Sequence, residues 1–452
     1  MYKPYMMPVI KAFPDVKIGE PRISRFVRFG LRVLVRLYLF MFYGIAKVFL
    51  RGEKELFSAF NRALNGESRC IIAFRHPNGG EPQLLAWFIF FKLKRLAAKA
   101  GVKFSKIPHT IFIYGYEVAR WGGPMARYVM PNVGALPIHH SKLDKRGMER
   151  IYSAIVDGCY PVSLAPEGQV SYTTESVPRL EKGVIRIGFT AAERLAKKSE
   201  VPDSKNIPLE ILPLAIHSRF GPWGVFTLER LIRKIEKYTG KNGRNLPFSQ
   251  RLKLCRDCIL EENEKRYNIR ADLDTSFEQR LGVVINAALT TTEKILGVET
   301  QGDLFARMYA LRQVCWDRIM LPDVDSFKGF TKMARSIKDL AAGEAWHAGR
   351  HLELVDLGWY IREEIPADDA PLHHKVEYAQ NIWDLINRTM GGAYHSRTSI
   401  LPRRVTIQAA PILNLTERLG DYKKDKKAAV AAALDDLKNL YLKCIDDVNK
   451  AE

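Results

Sequence analysis

A histidine and a glutamate lie five positions apart in the stretch Arg75-His76-Pro77-Asn78-Gly79-Gly80-Glu81-Pro82. An imidazole beside a carboxylate is the smallest general base, because the carboxylate fixes the tautomer and stabilises the imidazolium that forms when a substrate hydroxyl loses its proton. No Ser or Cys in a recognisable nucleophile elbow lies nearby, so the pair predicts direct transfer to a substrate hydroxyl without a covalent enzyme intermediate. The same spacing also occurs in purely structural turns, and its companions in the chain decide between the two interpretations.

The pair is flanked by a predicted strand and a predicted helix. Residues 70–74 are a short apolar run of the kind that forms a buried strand, and Pro82 suits the first position of a helix that continues to Lys99. Open α/β sheets bind their ligands at such junctions, beyond the ends of the strands. A turn at this junction would bring the two side chains together above the edge of a sheet.

Short apolar runs alternate with helical patterns between residues 70 and 217. The candidate strands are 70–74, 110–114, 133–138, 160–164 and 209–216. The candidate helices are 82–99, 143–156 and 177–197. This alternation predicts an α/β domain with a mostly parallel sheet flanked by helices.

The hydrophobic and charge pattern of the chain changes after residue 225. Residues 226–398 are charged and helix-periodic with few strand signals, whereas 404–412 has the pattern of a strand and 424–449 that of an amphipathic helix. The predicted division has four parts, namely a basic N-terminal segment, an α/β core, a helical insertion, and a strand and helix that complete the core. Their bounds are 1–60, 61–225, 226–398 and 399–452.

Four blocks of sequence, in order, resemble the glycerolipid acyltransferase family, typified by 1-acylglycerol-3-phosphate O-acyltransferase. The His-x4-acid block is followed by a glycine before a short apolar strand, a Pro-Glu-Gly block with a basic-Gly sequel, and an apolar strand with proline. In this chain they are His76 with Glu81, Gly134 to His140, Ala165 to Ser171 with Lys182-Gly183, and Ile211 to Ile216. The resemblance covers roughly residues 65–220 and extends to the strand and helix after residue 404.

The resemblance implies an activity and a role for each block. His76 would deprotonate the hydroxyl of the acyl acceptor, and Glu81 would orient His76. Glu167 and Gly168 would shape the acceptor pocket, with Gly134 belonging to the second block. The donor would be a thioester, either acyl-CoA or acyl carrier protein, and the transfer would need no metal or other cofactor.

Three departures from the family pattern bear on the acceptor. Glu81 stands where the family has Asp, which keeps the charge and adds one methylene. His140 stands where the second block has an Arg that grips the acceptor phosphate, and Gln169-Val170 replace Thr-Arg in the third. An Arg fork binds phosphate in a bidentate way that neutral His and Val cannot reproduce.

The missing arginines leave two possibilities open. In one, other cations hold an acceptor phosphate, and the candidates are Arg75, Lys142 and Lys182. In the other, the acceptor differs from lysophosphatidic acid. His139-His140 also fits a plain surface pair without a role in binding.

Charge points to an anionic partner. The chain of 452 residues has a formal net charge of +20, and residues 1–60 combine 11 Lys or Arg against 4 Asp or Glu with many aliphatic and aromatic side chains. This mixture favours an anionic phospholipid membrane over nucleic acid, for which no binding module is recognisable. We therefore expect no nucleic-acid partner.

The segment 25–51 has the pattern of a membrane-associated helix. Its cations fall at helical spacing and predict one basic face along a single helix; they are Arg25, Arg28, Arg32, Arg36, Lys47 and Arg51. The uninterrupted apolar run 37–46 has 10 residues, whereas crossing a bilayer takes about 20. The pattern predicts a peripheral or monotopic helix on the cytoplasmic face of a membrane. The alternatives are an amphipathic helix that packs on the protein's own core and a short re-entrant or spanning insertion.

Two further clusters are weak candidates for metal sites. Cys255 and Cys258 form a lone C-x-x-C, and Glu344, His347 and His351 share one face of a predicted helix. Neither has a second cluster to complete a site, so ordinary thiols and a solvated helix face are favoured. The six cysteines show no disulfide-framework spacing, which is typical of a reducing compartment.

These observations lead to one main expectation and one alternative. The main expectation is a membrane-associated O-acyltransferase that moves a fatty acyl group to the hydroxyl of a lysophospholipid, similar to lysophosphatidic acid, or of glycerol phosphate. The alternative is a catalytically inactive adaptor of the same fold that binds lipid or acyl chains.

Overall fold

The computed structural model describes residues 10–139, 144–200, 206–272, 274–392, 397–400 and 402–451. The chain divides into two compact units. The α/β unit contains Ile18–Gly224 and Ser399–Glu452, and the helical unit contains Met1–Lys17 and Val225–Thr398. The helical unit is thus inserted into the sequence of the α/β unit.

The described residues form strands and helices throughout both units. The strands are β1 (Phe13–Pro14), β2 (Ile45–Arg51), β3 (Arg69–Phe74), β4 (Ile111–Gly115), β5 (Leu136–Ile138), β6 (Val162–Leu164), β7 (Leu209–Phe220), β8 (Met320–Leu321), β9 (Arg403–Ala409) and β10 (Leu413–Asn414). The helices are α1 (Arg25–Tyr43), α2 (Glu53–Asn65), α3 (Glu81–Trp87), α4 (Lys94–Lys99), α5 (Tyr116–Trp121), α6 (Gly123–Asn132), α7 (Lys145–Val156), α8 (Gly183–Ser199), α9 (Pro222–Thr239), α10 (Phe248–Arg266), α11 (Phe277–Leu296), α12 (Leu304–Ile319), α13 (Lys332–Gly358), α14 (Leu372–Thr389), α15 (Leu419–Lys424) and α16 (Lys426–Lys450).

The α/β unit is built on an eight-stranded sheet in the order β2-β9-β7-β3-β6-β4-β5, with β10 also paired to β7. Strand β3 is parallel to β6 and β7, and β4 is parallel to β5 and β6. The predicted α/β class with a mostly parallel sheet is therefore confirmed.

Strand β9 reverses the direction of the sheet. It is antiparallel to β7, with Phe220 paired to Arg403, and it is parallel to β2, with Ile45 paired to Arg403. The carboxyl ends of β3, β6 and β7 consequently lie at the same edge of the sheet as the amino ends of β2 and β9. We call this edge the carboxyl edge.

Two hydrophobic cores cover the faces of the sheet. Along β3, Ile72 and Phe74 belong to a core with residues of α1, α2 and α3, whereas Ile71 and Ala73 belong to a core with residues of α8 and α16. This alternation follows from the two-residue period of a strand. Burial on both faces also explains why residues 70–74 of the strand are all apolar.

Helix α1 ends earlier than the sequence pattern predicts. Ser24 caps its first turn by accepting a hydrogen bond from the backbone N–H of Val27, and Gly44 ends it in the left-handed region with φ +66°. Because Gly44 stops the helix, Lys47 lies on β2. The prediction that Lys47 and Arg51 share a helical face with the four upstream arginines is therefore wrong.

Helix α1 presents apolar side chains on two sides. Val27, Val35 and Leu39 are buried in the core of the α/β unit. The outward side, which we call the α1 apolar face, consists of exposed Phe26, Phe29, Val33, Leu34, Leu37, Phe40 and Met41.

Two of the predicted surface cations of α1 are used within the protein. Arg36 donates hydrogen bonds of 2.6 Å to the carbonyl oxygens of Ile45 and Ala46. The guanidinium of Arg28 lies 5.3 Å from the ring centre of Phe90. Of the four helix arginines, Arg25 and Arg32 are the two that are exposed.

Several predicted boundaries shift. The helix predicted over 82–99 begins at Glu81 and contains a π-helical segment, Phe88–Leu93, between α3 and α4. The helix predicted over 177–197 begins only at Gly183, because the preceding residues form a loop around Arg75. Strand β5 is confined to Leu136–Ile138, since a turn occupies the residues before it.

The helical unit contains α10 to α14 and most of α9. Strands β1 and β8 pair in parallel, which places residues 13 and 14 in this unit, apart from the α1 segment with which the sequence-based division groups them. Buried ion pairs stabilise this unit: Arg388 on α14 lies 3.1 Å from Glu353 on α13, and Arg397, which follows α14 in the chain, lies 3.0 Å from Asp384. Over the part of the chain that the structure describes, no helix combines the length and apolarity needed to cross a membrane.

Candidate functional site

His76 and Glu81 meet at the carboxyl edge, in the turn between β3 and α3. Nδ1 of His76 lies 2.8 Å from Oε2 of Glu81, and the backbone N–H of Asn78 donates to the same oxygen over 3.2 Å. The Glu81 side chain is 1% exposed and that of His76 is 17% exposed. A buried carboxylate thus holds an imidazole that remains open to solvent.

The surroundings of Glu81 keep it ionised. Burial alone would raise its pKa, but the hydrogen bond and charge of His76, the charge of Arg403 and the N–H of Asn78 together lower the pKa below its usual range. A carboxylate accepting from Nδ1–H leaves Nε2 of His76 as the nitrogen with the lone pair. This tautomer is the one a general base requires.

A buried ion pair supports the backbone of His76. Oε1 of Glu167 lies 2.6 Å from Nε of Arg75, while Oε2 of Glu167 accepts the backbone N–H of His76 over 2.6 Å. Arg75 is 1% exposed, and its guanidinium also donates to the carbonyl oxygens of Thr173 and Ser176. Its donors are therefore directed at the protein, which favours a positioning role over the substrate contact expected from sequence.

The loop after Glu167 wraps around this ion pair. The backbone N–H of Ser171 donates to the carbonyl of His76 over 3.0 Å. Tyr172 is buried and adopts the left-handed region with φ +53°, a conformation that costs a bulky residue of the order of 1 kcal/mol. Strain of this kind persists only where the surrounding structure imposes it, and it is concentrated at functional sites.

The other predicted site residues lie at different places relative to the sheet. Gly168 follows Glu167 at the carboxyl edge and has φ +72°, so a glycine suits it. Lys182 is exposed and precedes α8. Gly134 precedes β5 and therefore lies at the opposite edge of the sheet from His76. His140 and Lys142 lie outside the described residues.

His139, next to the predicted position of the missing Arg, is also at the carboxyl edge. It follows β5, and its ring stacks on that of Tyr116 with centres 4.4 Å apart. Tyr116 follows β4 in the same way. The second block therefore does reach the side of the sheet where the His–Glu pair lies.

No protein-family model, no curated protein and no solved structure matches this chain.

Two residues that sequence analysis did not single out lie near Glu81. Arg403, the first residue of β9, is close enough to lower the pKa of Glu81. Tyr43, the last residue of α1, has its own pKa raised by burial, by Tyr38 and by the charge of Glu81. The only sequence signals for them are the strand predicted from 404 and the glycine that ends α1, and neither signal locates them at the site.

The metal candidates of the sequence do not form sites among the described residues. Glu344, His347 and His351 do not bring three ligand atoms together. Nδ1 of His351 lies 2.6 Å from the hydroxyl of Tyr267 instead. Cys255 and Cys258 are free thiols on α10.

Proposed function

We propose that this protein is an O-acyltransferase that moves a fatty acyl group from acyl-CoA or acyl carrier protein to the hydroxyl of a lysophospholipid or glycerol phosphate. The observation that carries the proposal is the 2.8 Å bond between the partly exposed His76 and the buried, ionised Glu81. The order of the four sequence blocks supplies the reaction class.

The chemistry follows from the tautomer of His76. Nε2 accepts the proton of the acceptor hydroxyl as the oxygen attacks the thioester carbonyl, and the Glu81 carboxylate stabilises the imidazolium. The tetrahedral intermediate then expels the thiolate of the donor, which takes the proton from His76. An oxygen ester replaces a thioester, and no net proton is gained or lost.

Glu167 has a different role in this proposal from the one the resemblance implies. Both its oxygens bind the protein, one at Arg75 and one at the backbone of His76. It acts on the reaction through the backbone of residues 75–81, which we call the catalytic turn. Because Arg75 is bonded within the protein, we assign the acceptor phosphate to an exposed cation. Lys182 is exposed, whereas Lys142 lies outside the described residues.

The proposed enzyme works at an anionic lipid surface on the cytoplasmic side. The α1 apolar face supports this, because an exposed apolar strip of seven side chains flanked by exposed Arg25 and Arg32 matches the acyl and headgroup layers of an anionic bilayer. The proposed mode is peripheral or monotopic association.

Product analysis by mass spectrometry tests the activity. Purified protein receives a mixture of lysophospholipids and glycerol phosphate with either acyl-CoA or acyl carrier protein as donor. We expect one ester product with one preferred donor, and we expect His76→Ala to abolish it while circular dichroism stays unchanged. Full activity in His76→Ala would overturn the assignment.

Vesicle binding tests the lipid surface separately from the activity. Val33→Ser/Leu37→Ser should weaken binding to anionic vesicles at least tenfold, because each buried aliphatic side chain contributes roughly 1.5–3 kcal/mol. The matched control is Leu442→Ser, which changes an exposed leucine on α16 and should leave binding intact. Equal binding by both variants would argue against the α1 apolar face.

An inactive lipid- or acyl-binding adaptor is the second candidate. It is favoured by Gln169 and Val170, which stand where the family has Thr-Arg. Tight vesicle or acyl-chain binding without turnover, across all acceptors and both donors, would support this alternative.

A further inference from the structure

The last residue of α1 lies directly on the catalytic turn. A Cβ added to Gly80 would fall 2.6 Å from Cδ1, 2.8 Å from Cγ and 2.9 Å from Cε1 of Tyr43. These distances are far shorter than a van der Waals contact, so the ring of Tyr43 occupies the space where any other residue at position 80 would carry its side chain. Glycine is required here by contact and not by backbone conformation.

Gly80 lies next to the carboxylate residue of the His76–Glu81 pair. It is the N-cap residue of α3 and immediately precedes Glu81, and Gly79 before it has φ +87°. Glycines leave a turn with many accessible conformations. An aromatic ring packed on Gly80 removes part of that freedom and fixes the direction in which the Glu81 side chain leaves the turn.

Tyr43 is itself held from several sides. Its ring meets that of Tyr38 edge-on, with centres 5.7 Å apart, and Leu39 of the same helix turn is fully buried. The following residue, Gly44, accepts a hydrogen bond of 2.8 Å from the backbone N–H of Arg403. The contact on Gly80 is therefore made by a side chain anchored to both α1 and β9.

We propose that Tyr43 is a positioning residue that sets the geometry of the His76–Glu81 pair through Gly80, and so joins the lipid-facing helix to the catalytic turn. This inference rests on the proposed acyl transfer. It adds that the α1 segment shapes the base, beyond any contact with lipid.

The first test compares Tyr43→Ala and Tyr43→Phe in acyl transfer to a water-soluble short-chain acceptor. Tyr43→Ala should lower kcat by roughly 10–100-fold with KM little changed, because a displacement of about 1 Å in a catalytic group has effects of this size. Tyr43→Phe keeps the ring and should retain kcat within about twofold. The matched control Tyr128→Ala removes an exposed tyrosine on α6 and should leave kcat unchanged.

A double-mutant cycle tests the contact itself. Gly80→Ala alone should lower kcat strongly, because its methyl group collides with the ring of Tyr43. In the Tyr43→Ala background the same methyl group has room, so the two changes should be far from additive. Additive effects would overturn the proposal.

A readout without substrate separates this inference from the proposed activity. The ¹⁵N chemical shifts of the His76 ring report which nitrogen carries the proton, and Tyr43→Ala should lose the Nδ1–H preference that wild type and Tyr43→Phe retain. If wild-type protein shows no acyl transfer but the shifts respond as stated, the proposed function fails and the positioning role stands. If transfer is found and neither kcat nor the shifts respond to Tyr43→Ala in a folded variant, the positioning role fails.

Discussion

His76 in the α/β unit and His351 in the helical unit have similar hydrogen-bond geometry and partners of different charge. In both, Nδ1 lies within hydrogen-bonding distance of a side-chain oxygen: 2.8 Å to Glu81 for His76, and 2.6 Å to the hydroxyl of Tyr267 for His351. The partner of His76 is a carboxylate with a lowered pKa. The partner of His351 is a phenol whose pKa burial raises to about 12.

The charge of the partner decides what each histidine can do. Burial, followed by the charges of His347 and Arg266, lowers the pKa of His351 to about 4, because a neutral phenol cannot compensate an imidazolium. His76 faces an anion and is partly exposed, which is the arrangement that the proposed general base needs. A hydrogen bond to a histidine is thus no sign of a base unless the partner carries charge.

The largest expected effect comes from removing that charge. Glu81→Gln should lower kcat for acyl transfer by roughly 10³-fold, because an amide no longer selects the Nδ1–H tautomer and no longer stabilises the imidazolium. Tyr267→Phe, the equivalent change at His351, should leave kcat unchanged. Initial rates with the preferred donor measure both variants.

Glu81→Asp serves as the conservative control. Aspartate keeps the charge and stands at this position in the resembled family, so its kcat should exceed that of Glu81→Gln by at least tenfold. Wild-type rates in Glu81→Gln would mean that the two histidines do not differ in the way described.

The next effect concerns the ion pair beneath His76. Glu167→Ala should lower the free energy of unfolding by about 3 kcal/mol, since it leaves the buried Arg75 guanidinium without its counter-ion. Chemical denaturation followed by circular dichroism measures it. Arg233→Ala, which removes an arginine paired to Glu229 and 60% exposed, should cost less than about 1 kcal/mol. Equal losses would show that Arg75 finds other compensation.

A smaller effect is expected from the titration of His351. Its pKa is about 4 in the folded protein and 6.5 in the reference state, so between these values the unfolded chain binds a proton that the folded one does not. Stability should therefore fall as pH drops from 6.5 to 4, with a slope of at most about 1.4 kcal/mol per pH unit from this residue. His351→Gln should flatten the curve over that range, and superimposable curves would contradict it.

The smallest effect is expected from metal addition. Glu344, His347 and His351 do not bring three ligand atoms together, so Zn²⁺ should shift the melting temperature of wild type and of His347→Ala by the same amount. Differential scanning calorimetry checks this. A Zn²⁺-dependent shift lost in His347→Ala would reveal a metal site on α13.

The sequence was sufficient to predict the class of the fold because its strands are buried on both faces. Residues 70–74 are apolar throughout and 209–216 are apolar except for Glu210, and they lie in the neighbouring strands β3 and β7. The order of strands could not be predicted in the same way. The position of β9 between β2 and β7 depends on pairings between residues more than 180 positions apart, which leave no local periodicity.

The candidate site was predictable where residues are neighbours in sequence. His76 and Glu81 share one short turn, so spacing alone brings them together. Sequence could not show the ion pair of Arg75, because its partner Glu167 is 92 positions away, and an arginine next to a histidine in sequence resembles an anion-binding group. Gly134 matches the glycine of the second sequence block, but the direction of β5 places it at the opposite edge of the sheet from His76.

The place of β9 in the sheet has a consequence for how the protein assembles during synthesis. Among the strands that the structure describes, β2 joins the sheet through β9, and the hydroxyl of Tyr441 on α16 donates to the carbonyl of Ala73 in β3. Both partners emerge from the ribosome after the whole helical insertion. Closing so long a loop costs only a few kcal/mol in chain entropy, but it slows folding, because contacts distant in sequence form late.

During synthesis, α1 and the turn between β3 and α3 are therefore complete long before β9 is made. Arg403, whose backbone N–H donates to the carbonyl of Gly44, is synthesised only after the helical insertion. Chains released before this point would lack this hydrogen bond and the charge of Arg403 near Glu81. We expect truncated products to expose the apolar side chains of α1 and β2 and to be substrates for chaperones and proteases.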